Sequence, residues 1–157
     1  MTILDKNGIS VEEHVDDLFR DSNIEVLDWQ GSFDNLKAVA FKVDNEKYVA
    51  FRTCLEEDER VVAKMHEYAH HELDLFYSLK SSVRERERVE ARVKRKMVEL
   101  FLKPEYLCEI IERENTFNPR ALAEVTHFSA DIIEYAEHLY FELKGITPPN
   151  IEDTYLQ

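Results

Sequence analysis

The sequence predicts an α+β fold, in which a short antiparallel sheet lies beside about six helices. Apolar residues recur at helical spacing near residues 10–20 and again from about residue 57 onward, whereas they alternate with a period of two over much of residues 24–53. Only three Gly and four Pro occur among the 157 residues, which leaves little room for linkers. A single domain with a real core is therefore expected.

The elements predicted in the first third of the chain are a helix over about 10–20, a strand at 24–27 and an antiparallel hairpin over 37–53. Ser10 and Glu13 form a capping box that begins the helix. Asp44-Asn45 separates two alternating runs and is typical of a tight turn, which favours the hairpin.

The elements predicted after residue 55 are a helix beginning near 56–59, one beginning at 82, one over 105–114, one over 119–126, a break at 127–129, and a last helix over 130–143. Ser82 with Glu85 is a second capping box. Pro104 ends the second of these helices, and Asn118-Pro119 begins a later one. Gly145 caps the last helix, and residues 146–157 are expected to form a loose tail.

The charge of the chain disfavours nucleic acid as a direct partner. The formal net charge is −13, and an acidic surface repels phosphates unless it carries a local basic patch. The one basic cluster, residues 84–96, is interleaved with Glu and is expected to be a solvated helix face.

Cysteine usage and the start of the chain indicate a cytoplasmic protein. Cys54 and Cys108 are isolated thiols without C-x-x-C spacing, which argues against a disulfide scaffold or a thiolate metal site. Residues 1–6 include no apolar signal segment, and no run approaches transmembrane length, so no membrane contact is expected.

The segment His66-Glu67-Tyr68-Ala69-His70 has the H-E-x-x-H arrangement of zinc peptidases. Residues four apart lie on one face of a helix, so His66 and His70 can present two imidazoles to one metal ion. Glu67 lies beside that face, where it can take a proton from the water molecule that the metal activates. The motif therefore predicts a metal centre with Glu67 as its base.

A catalytic zinc site usually takes three protein ligands, so a third is needed. The candidates are carboxylates on the following helix: Glu85, Glu87 and Glu90. Glu90 is favoured because its own face carries Val93 and Met97, where an unpaired carboxylate would be costly to bury. The alternative is that Glu90 is a surface residue paired with Lys94, four positions on.

Three further residues are candidates for supporting roles. Tyr77 or His71 could donate to the oxyanion that develops during hydrolysis. His71 points about 100° away from His70 around the helix, so it supports the site or lies at the surface rather than binding the metal. Glu72 either orients a ligand or lies in solvent.

Three stretches resemble the ImmA/IrrE family of zinc metallopeptidases, and in particular its short members from Gram-positive phages and integrative elements: His66-Glu67-Tyr68-Ala69-His70-His71-Glu72, Phe76-Tyr77 and Glu90-Ala91-Arg92. In those relatives a third-ligand Glu follows the second His by about twenty residues, on a helix that ends at a Pro. Here Glu90 follows His70 by twenty residues, and Pro104 ends the helix. The resemblance covers about residues 8–143.

The chain departs from the family pattern at three positions. Ala69 and Tyr68 replace the usual Gly and Leu of H-E-L-G-H, and Val93 replaces a smaller residue. None of these changes removes a ligand or the base, although they alter the packing around the site.

The resemblance implies a small zincin-like domain, with a catalytic core over about 1–104 and a helical part over about 105–145. It implies one Zn²⁺ per chain, held by His66, His70 and Glu90, with Glu67 as the catalytic base. It also implies a function, the site-specific cleavage of a protein regulator, expected to be a helix-turn-helix repressor of a phage or mobile element.

Two other functions compete with hydrolysis. A non-cleaving interaction protein could keep the zinc fold and regulate a transcription factor by binding it. Direct DNA binding through residues 119–143 is disfavoured, because the second helix there carries carboxylates where a recognition helix needs donors.

Overall fold

The computed structural model describes residues 10–30, 36–78 and 80–152. Its elements are α1 (Val11–Asp21), β1 (Ile24–Trp29), β2 (Ala38–Val43), β3 (Glu46–Arg52), α2 (Glu57–Leu73), α3 (Val83–Phe101), α4 (Pro104–Glu114), α5 (Pro119–Glu124), α6 (Ala130–Glu137) and a π-helical turn (His138–Leu143). The predicted α+β class is therefore confirmed. Within the described ranges, no helix is both long and apolar enough to cross a membrane.

The chain forms two compact units, residues 2–97 and residues 98–157. The first unit holds α1, the three strands, α2 and most of α3. The second holds the end of α3, the shorter helices and the π-helical turn.

The capping boxes predicted at the starts of α1 and α3 are both present. The Ser10 hydroxyl accepts the Glu13 N–H, and the Glu13 carboxylate accepts the Ser10 N–H. Ser82 and Glu85 make the same reciprocal pair at the start of α3, at 3.1 and 3.0 Å. Each capping box satisfies backbone donors that the first turn of a helix leaves free, and this fixes where the helix begins.

The sheet is mixed, so the predicted antiparallel sheet was wrong for one strand. The strand order is β1-β3-β2, with β2 antiparallel to β3 as predicted and β1 parallel to it. Asp44 and Asn45 both adopt positive φ in the two-residue turn that sets the hairpin. The Asp44-Asn45 turn acts only between β2 and β3, so it does not fix the direction of β1.

One face of the sheet packs on α1 and α2. Phe51 of β3 lies 6.4 Å from Phe19 of α1, measured between ring centroids, and Phe19 lies 6.0 Å from Tyr68 of α2. We call this side the inner face. The side chains that alternate with it form the outer face: Glu25, Leu27, Trp29, Val39, Phe41, Val43, Glu46, Tyr48, Ala50 and Arg52.

The second unit is built on a helical core of its own. Its fully buried apolar residues include Leu102, Leu107, Ile110, Ile111, Leu122, Ile133 and Leu139. The Tyr140 hydroxyl lies 2.8 Å from the Leu102 carbonyl and 3.1 Å from that of Val98, so it satisfies the free end of α3.

The last helix departs from its predicted course. It ends as an α-helix at Glu137 and continues as the π-helical turn, after which Gly145 adopts φ +67° as the predicted cap. The Asn115 side chain donates to the Glu152 carbonyl at 3.0 Å, so part of the predicted loose tail is held in place. Residues 153–157 of that tail lie outside the described residues.

A cluster of ion pairs joins α1 to α2. Both Glu12 carboxylate oxygens accept hydrogen bonds from Arg60, at 2.6 and 3.1 Å, and Lys64 donates to Glu12 at 3.0 Å. The Glu12 side chain is only 22% exposed. The hydrogen bond from Arg60 outweighs the effect of burial and, with Lys64, lowers the pKa of Glu12 from 4.5 to about 2.

We predict that Glu12→Gln lowers the free energy of unfolding by about 1–2 kcal/mol at pH 7. A carboxyl with a lowered pKa stabilises the fold above its ordinary value of 4.5, and the contribution is lost as the pH falls from 4.5 towards 2. Urea unfolding at pH 7 and pH 3 should therefore show a smaller difference between the two proteins at pH 3. Glu59→Gln, which breaks the exposed pair with Lys37, is the control and should have a much smaller effect. A Glu12 effect that does not change with pH would contradict the assignment.

Candidate metal centre and active site

The two histidines of the motif lie one turn apart on α2. Acidic residues at Glu57, Asp58 and Glu59 suit the positive end of this helix, which ends where Asp74 adopts the left-handed conformation. The His66 and His70 rings lie 5.0 Å apart, measured between centroids, at an angle of 71°. Both imidazoles therefore reach the same place from one helix face.

Glu90 of α3 meets both histidines. One carboxylate oxygen lies 2.9 Å from His66 Nε2, and the other lies 3.1 Å from His70 Nε2. Burial alone would raise the pKa of Glu90, but the hydrogen bonds from His66 and His70 outweigh it and hold this pKa well below its usual range. Of the three carboxylates considered on α3, Glu90 is the one that lies with the histidines in the group of possible ligands.

The end of α2 fixes which nitrogen of His70 faces Glu90. The Leu75 N–H donates to the His70 carbonyl as the helix ends, and this turns the Leu75 carbonyl towards the His70 ring. His70 Nδ1 lies 2.7 Å from that carbonyl oxygen and must donate to it, because a carbonyl oxygen can only accept. When the ring is neutral, Nε2 therefore carries the lone pair that a metal ligand requires, and when the ring is protonated, Nε2 donates to Glu90.

The three side chains fit a divalent metal ion. Their ligand atoms all lie within 4.8 Å of one another, and two imidazoles with one carboxylate are a donor set that zinc accepts. A tetrahedral ion with ligands at about 2.1 Å holds its donor atoms roughly 3.4 Å apart. The observed separations of 2.9 and 3.1 Å are a few tenths of an ångström shorter, so small side-chain movements would admit the ion.

Glu67 is buried next to this group and is only 6% exposed. Burial raises its pKa, and the charge of Glu90 acts in the same direction, while His66, His70 and a hydrogen bond from the Ala40 backbone oppose the rise. Ala40 belongs to β2, at the edge of the sheet. The sheet therefore holds the carboxylate beside the histidines through a main-chain donor.

Tyr77 joins the group from the loop between α2 and α3. Its ring lies 6.0 Å from that of His70, and its hydroxyl hydrogen-bonds Glu90. Burial, followed by the charge of Glu90 and this hydrogen bond, raises the pKa of Tyr77 to about 12, so the phenol is neutral at ordinary pH and can donate. Arg86 of α3 lies over the Tyr77 ring, with its guanidinium carbon 5.7 Å from the centroid.

The other two candidates lie away from the ligand atoms. His71 Nε2 lies 2.9 Å from the Tyr48 carbonyl and ties α2 to β3. Glu72 is exposed and accepts the Tyr68 hydroxyl at 2.9 Å. Both make contacts that hold the fold, and the group of possible ligands among the described residues comprises His66, His70 and Glu90.

Three groups at the site were not predicted from the sequence: the Leu75 carbonyl, the Ala40 N–H and the Arg86 side chain. The Leu75 carbonyl and the Ala40 N–H are main-chain groups, which any residue supplies, so their roles depend on the path of the chain. Arg86 lies in the basic run that the sequence predicts to be a solvated helix face, and only its spacing of four residues from Glu90 could have indicated a place near the site.

Ala69 and Val93, two of the departures from the family pattern, are both fully buried. The site therefore accommodates the additional methyl groups within its packed surroundings.

We predict that the protein binds one Zn²⁺ per chain and that Glu90→Ala weakens this binding at least about 100-fold. Titration of the metal-free protein with Zn²⁺, followed by calorimetry, measures both values. Glu87→Ala is the matched control, because Glu87 is exposed on the same helix. Equal losses in the two variants, or native affinity in Glu90→Ala, would show that Glu90 does not bind the metal.

Comparison of the chain with protein-family models, with curated proteins and with solved structures gave no match. The resemblance to the ImmA/IrrE peptidases therefore rests on the residues and spacings that carry it in the sequence, and the chemistry of the site rests on its geometry.

Proposed function

We propose that the protein is a zinc-dependent endopeptidase that cleaves a protein regulator at a specific site. The observation that supports this most strongly is the position of Glu67, a buried carboxylate beside two histidines and a glutamate that could hold a metal ion. A metal site that only stabilises a fold has no use for a base at this position. A hydrolytic site needs one.

The donor set suits peptide hydrolysis. When bound, zinc would supply Lewis-acid chemistry, polarising a water molecule and the carbonyl of the scissile bond. Glu67 would accept a proton from the attacking water and deliver it to the nitrogen of the leaving amine, so that the base is regenerated. Tyr77 would hold the Glu90 carboxylate in position through its hydroxyl.

The edge of the sheet supports a polypeptide as the substrate. The Lys37 carbonyl accepts the Arg52 N–H, so the alternate residues Ala38, Ala40 and Lys42 direct their main-chain groups away from β3. Ala40 uses its N–H to hold Glu67. The neighbouring outward groups could pair with an extended chain that passes this carboxylate.

The acidic character of the chain favours a basic protein as the regulator. A net charge of −13 attracts positively charged proteins and repels phosphates. A helix-turn-helix repressor of a phage or mobile element, encoded beside this chain, fits that requirement and is the substrate that the family resemblance implies.

We predict that Glu67→Gln abolishes cleavage of that repressor, lowering the rate at least about 100-fold, because the amide cannot accept the proton. Coexpression of each protein with the repressor, followed by electrophoresis and mass spectrometry of the fragments, measures the cleavage. Zinc content should be unchanged, since Glu67 is not among the three possible ligands.

Glu72→Gln is the matched control. It makes the same chemical change five residues along α2, at an exposed position, and should leave cleavage intact. If the repressor is inactivated without being cut, and equally well by the Glu67→Gln protein, the chain regulates by binding and the hydrolytic proposal is wrong.

A further inference from the structure

The outer face of the sheet is apolar and partly exposed. Leu27 is 36% exposed and Val43 is 52% exposed, on the two edge strands. Val39 and Phe41 lie on the same face, on the same strand as Val43, and are partly exposed as well. A sheet usually buries an apolar face against another layer, whereas α1 and α2 pack on the inner face of this one.

The composition of the outer face is that of a protein interface. The Phe41 and Tyr48 rings are stacked, with centroids 5.3 Å apart and an angle of 15° between their planes. Trp29, the single tryptophan of the chain, lies on the same face. Aromatic residues dominate the centres of binding surfaces, because they bury a large area at a small entropic cost.

Three carboxylates lie at one end of this face. The Tyr48 hydroxyl donates to Glu46 at 2.8 Å, Glu25 is opposite Tyr48 in the strand register, and Asp44 is in the adjoining turn. The hydrogen bond to Glu46 and the charges of Glu25 and Asp44 all raise the pKa of Tyr48. The three carboxylates therefore lie near the same hydroxyl group. Arg52 lies at the opposite end. A partner that complements this face is apolar along its length and basic at one end.

We propose that the outer face binds an amphipathic helix of the protein substrate, with apolar side chains over Leu27, Phe41 and Val43 and a Lys- or Arg-rich end at the three carboxylates. The proposal rests on the proposed function for the identity of the partner. A helix is the element that packs on a sheet face. Strands of six or seven residues span about 20 Å, which about four helical turns would cover.

The position of the surface explains what docking would achieve. β2 carries Val39, Phe41 and Val43 on the outer face, while the main chain of Ala40, between them, holds Glu67. A substrate bound through a helix at this face would have its adjoining segment next to the edge that leads to the catalytic carboxylate. Substrate specificity would then depend on a docking surface that is separate from the residues around the scissile bond.

Trp29 provides the test. Full-length Glu67→Gln protein is titrated with a synthetic helical peptide of about 15 residues, made of Leu and Lys with the Lys clustered at one end, while tryptophan emission is recorded. We expect a saturable change in emission. Leu27→Lys and Val43→Lys should each weaken binding at least about tenfold.

Val26→Lys is the matched control, because Val26 is the neighbour of Leu27 on β1 and is 44% exposed, but lies on the inner side. It should change the affinity less than twofold. Equal weakening by Val26→Lys, equal binding of a Leu/Glu peptide, or no change in emission while calorimetry detects binding would each overturn the proposal.

The catalytically inactive protein separates this proposal from the proposed function. Binding that requires Leu27 and Val43 supports docking even if the native protein cleaves nothing. Cleavage of the repressor that is unaffected by Leu27→Lys and Val43→Lys, in KM as well as kcat, would overturn docking while leaving hydrolysis intact.

Discussion

The contact of the Glu90 carboxylate with the His66 and His70 imidazoles is the interaction on which the rest of the site depends. A carboxylate and two imidazoles are costly to bury apart, and here each satisfies the others at 2.9 and 3.1 Å. The loop between α2 and α3 makes this possible, because each of its ends is set locally. Asp74 ends one helix in the left-handed conformation, and the Ser82 capping box begins the next.

The sheet contributes to the site through its main chain. The edge strand supplies the Ala40 N–H that holds Glu67, and the same strand carries the apolar residues of the outer face. The inner face fixes the position of α2 by packing on α1 and α2, and His71 adds a hydrogen bond from α2 to β3. Catalysis and recognition are therefore proposed to share one strand, with its main chain serving the first and its side chains the second.

Features with local physical causes could be predicted from the sequence, whereas features set by distant parts of the chain could not. Capping boxes at Ser10 and Ser82, and the turn at Asp44, act within a few residues, so the elements that they begin lie where the sequence places them. The spacing from His70 to Glu90 identified a third candidate that the structure does bring to the histidines. The direction of β1 was not predicted, because the alternation of apolar and polar residues indicates a strand but not the strand that it pairs with. The Leu75 carbonyl was missed because its position depends on how α2 ends.

Anomalous X-ray scattering from crystals of the zinc-loaded protein, recorded on either side of the zinc absorption edge, tests the central claim most directly. The account predicts one strong peak per chain, with His66 Nε2, His70 Nε2 and a Glu90 carboxylate oxygen each about 2.0–2.2 Å from it. A peak at Cys54 or Cys108 instead, or an ion bound by the two histidines with Glu90 turned away, would contradict it.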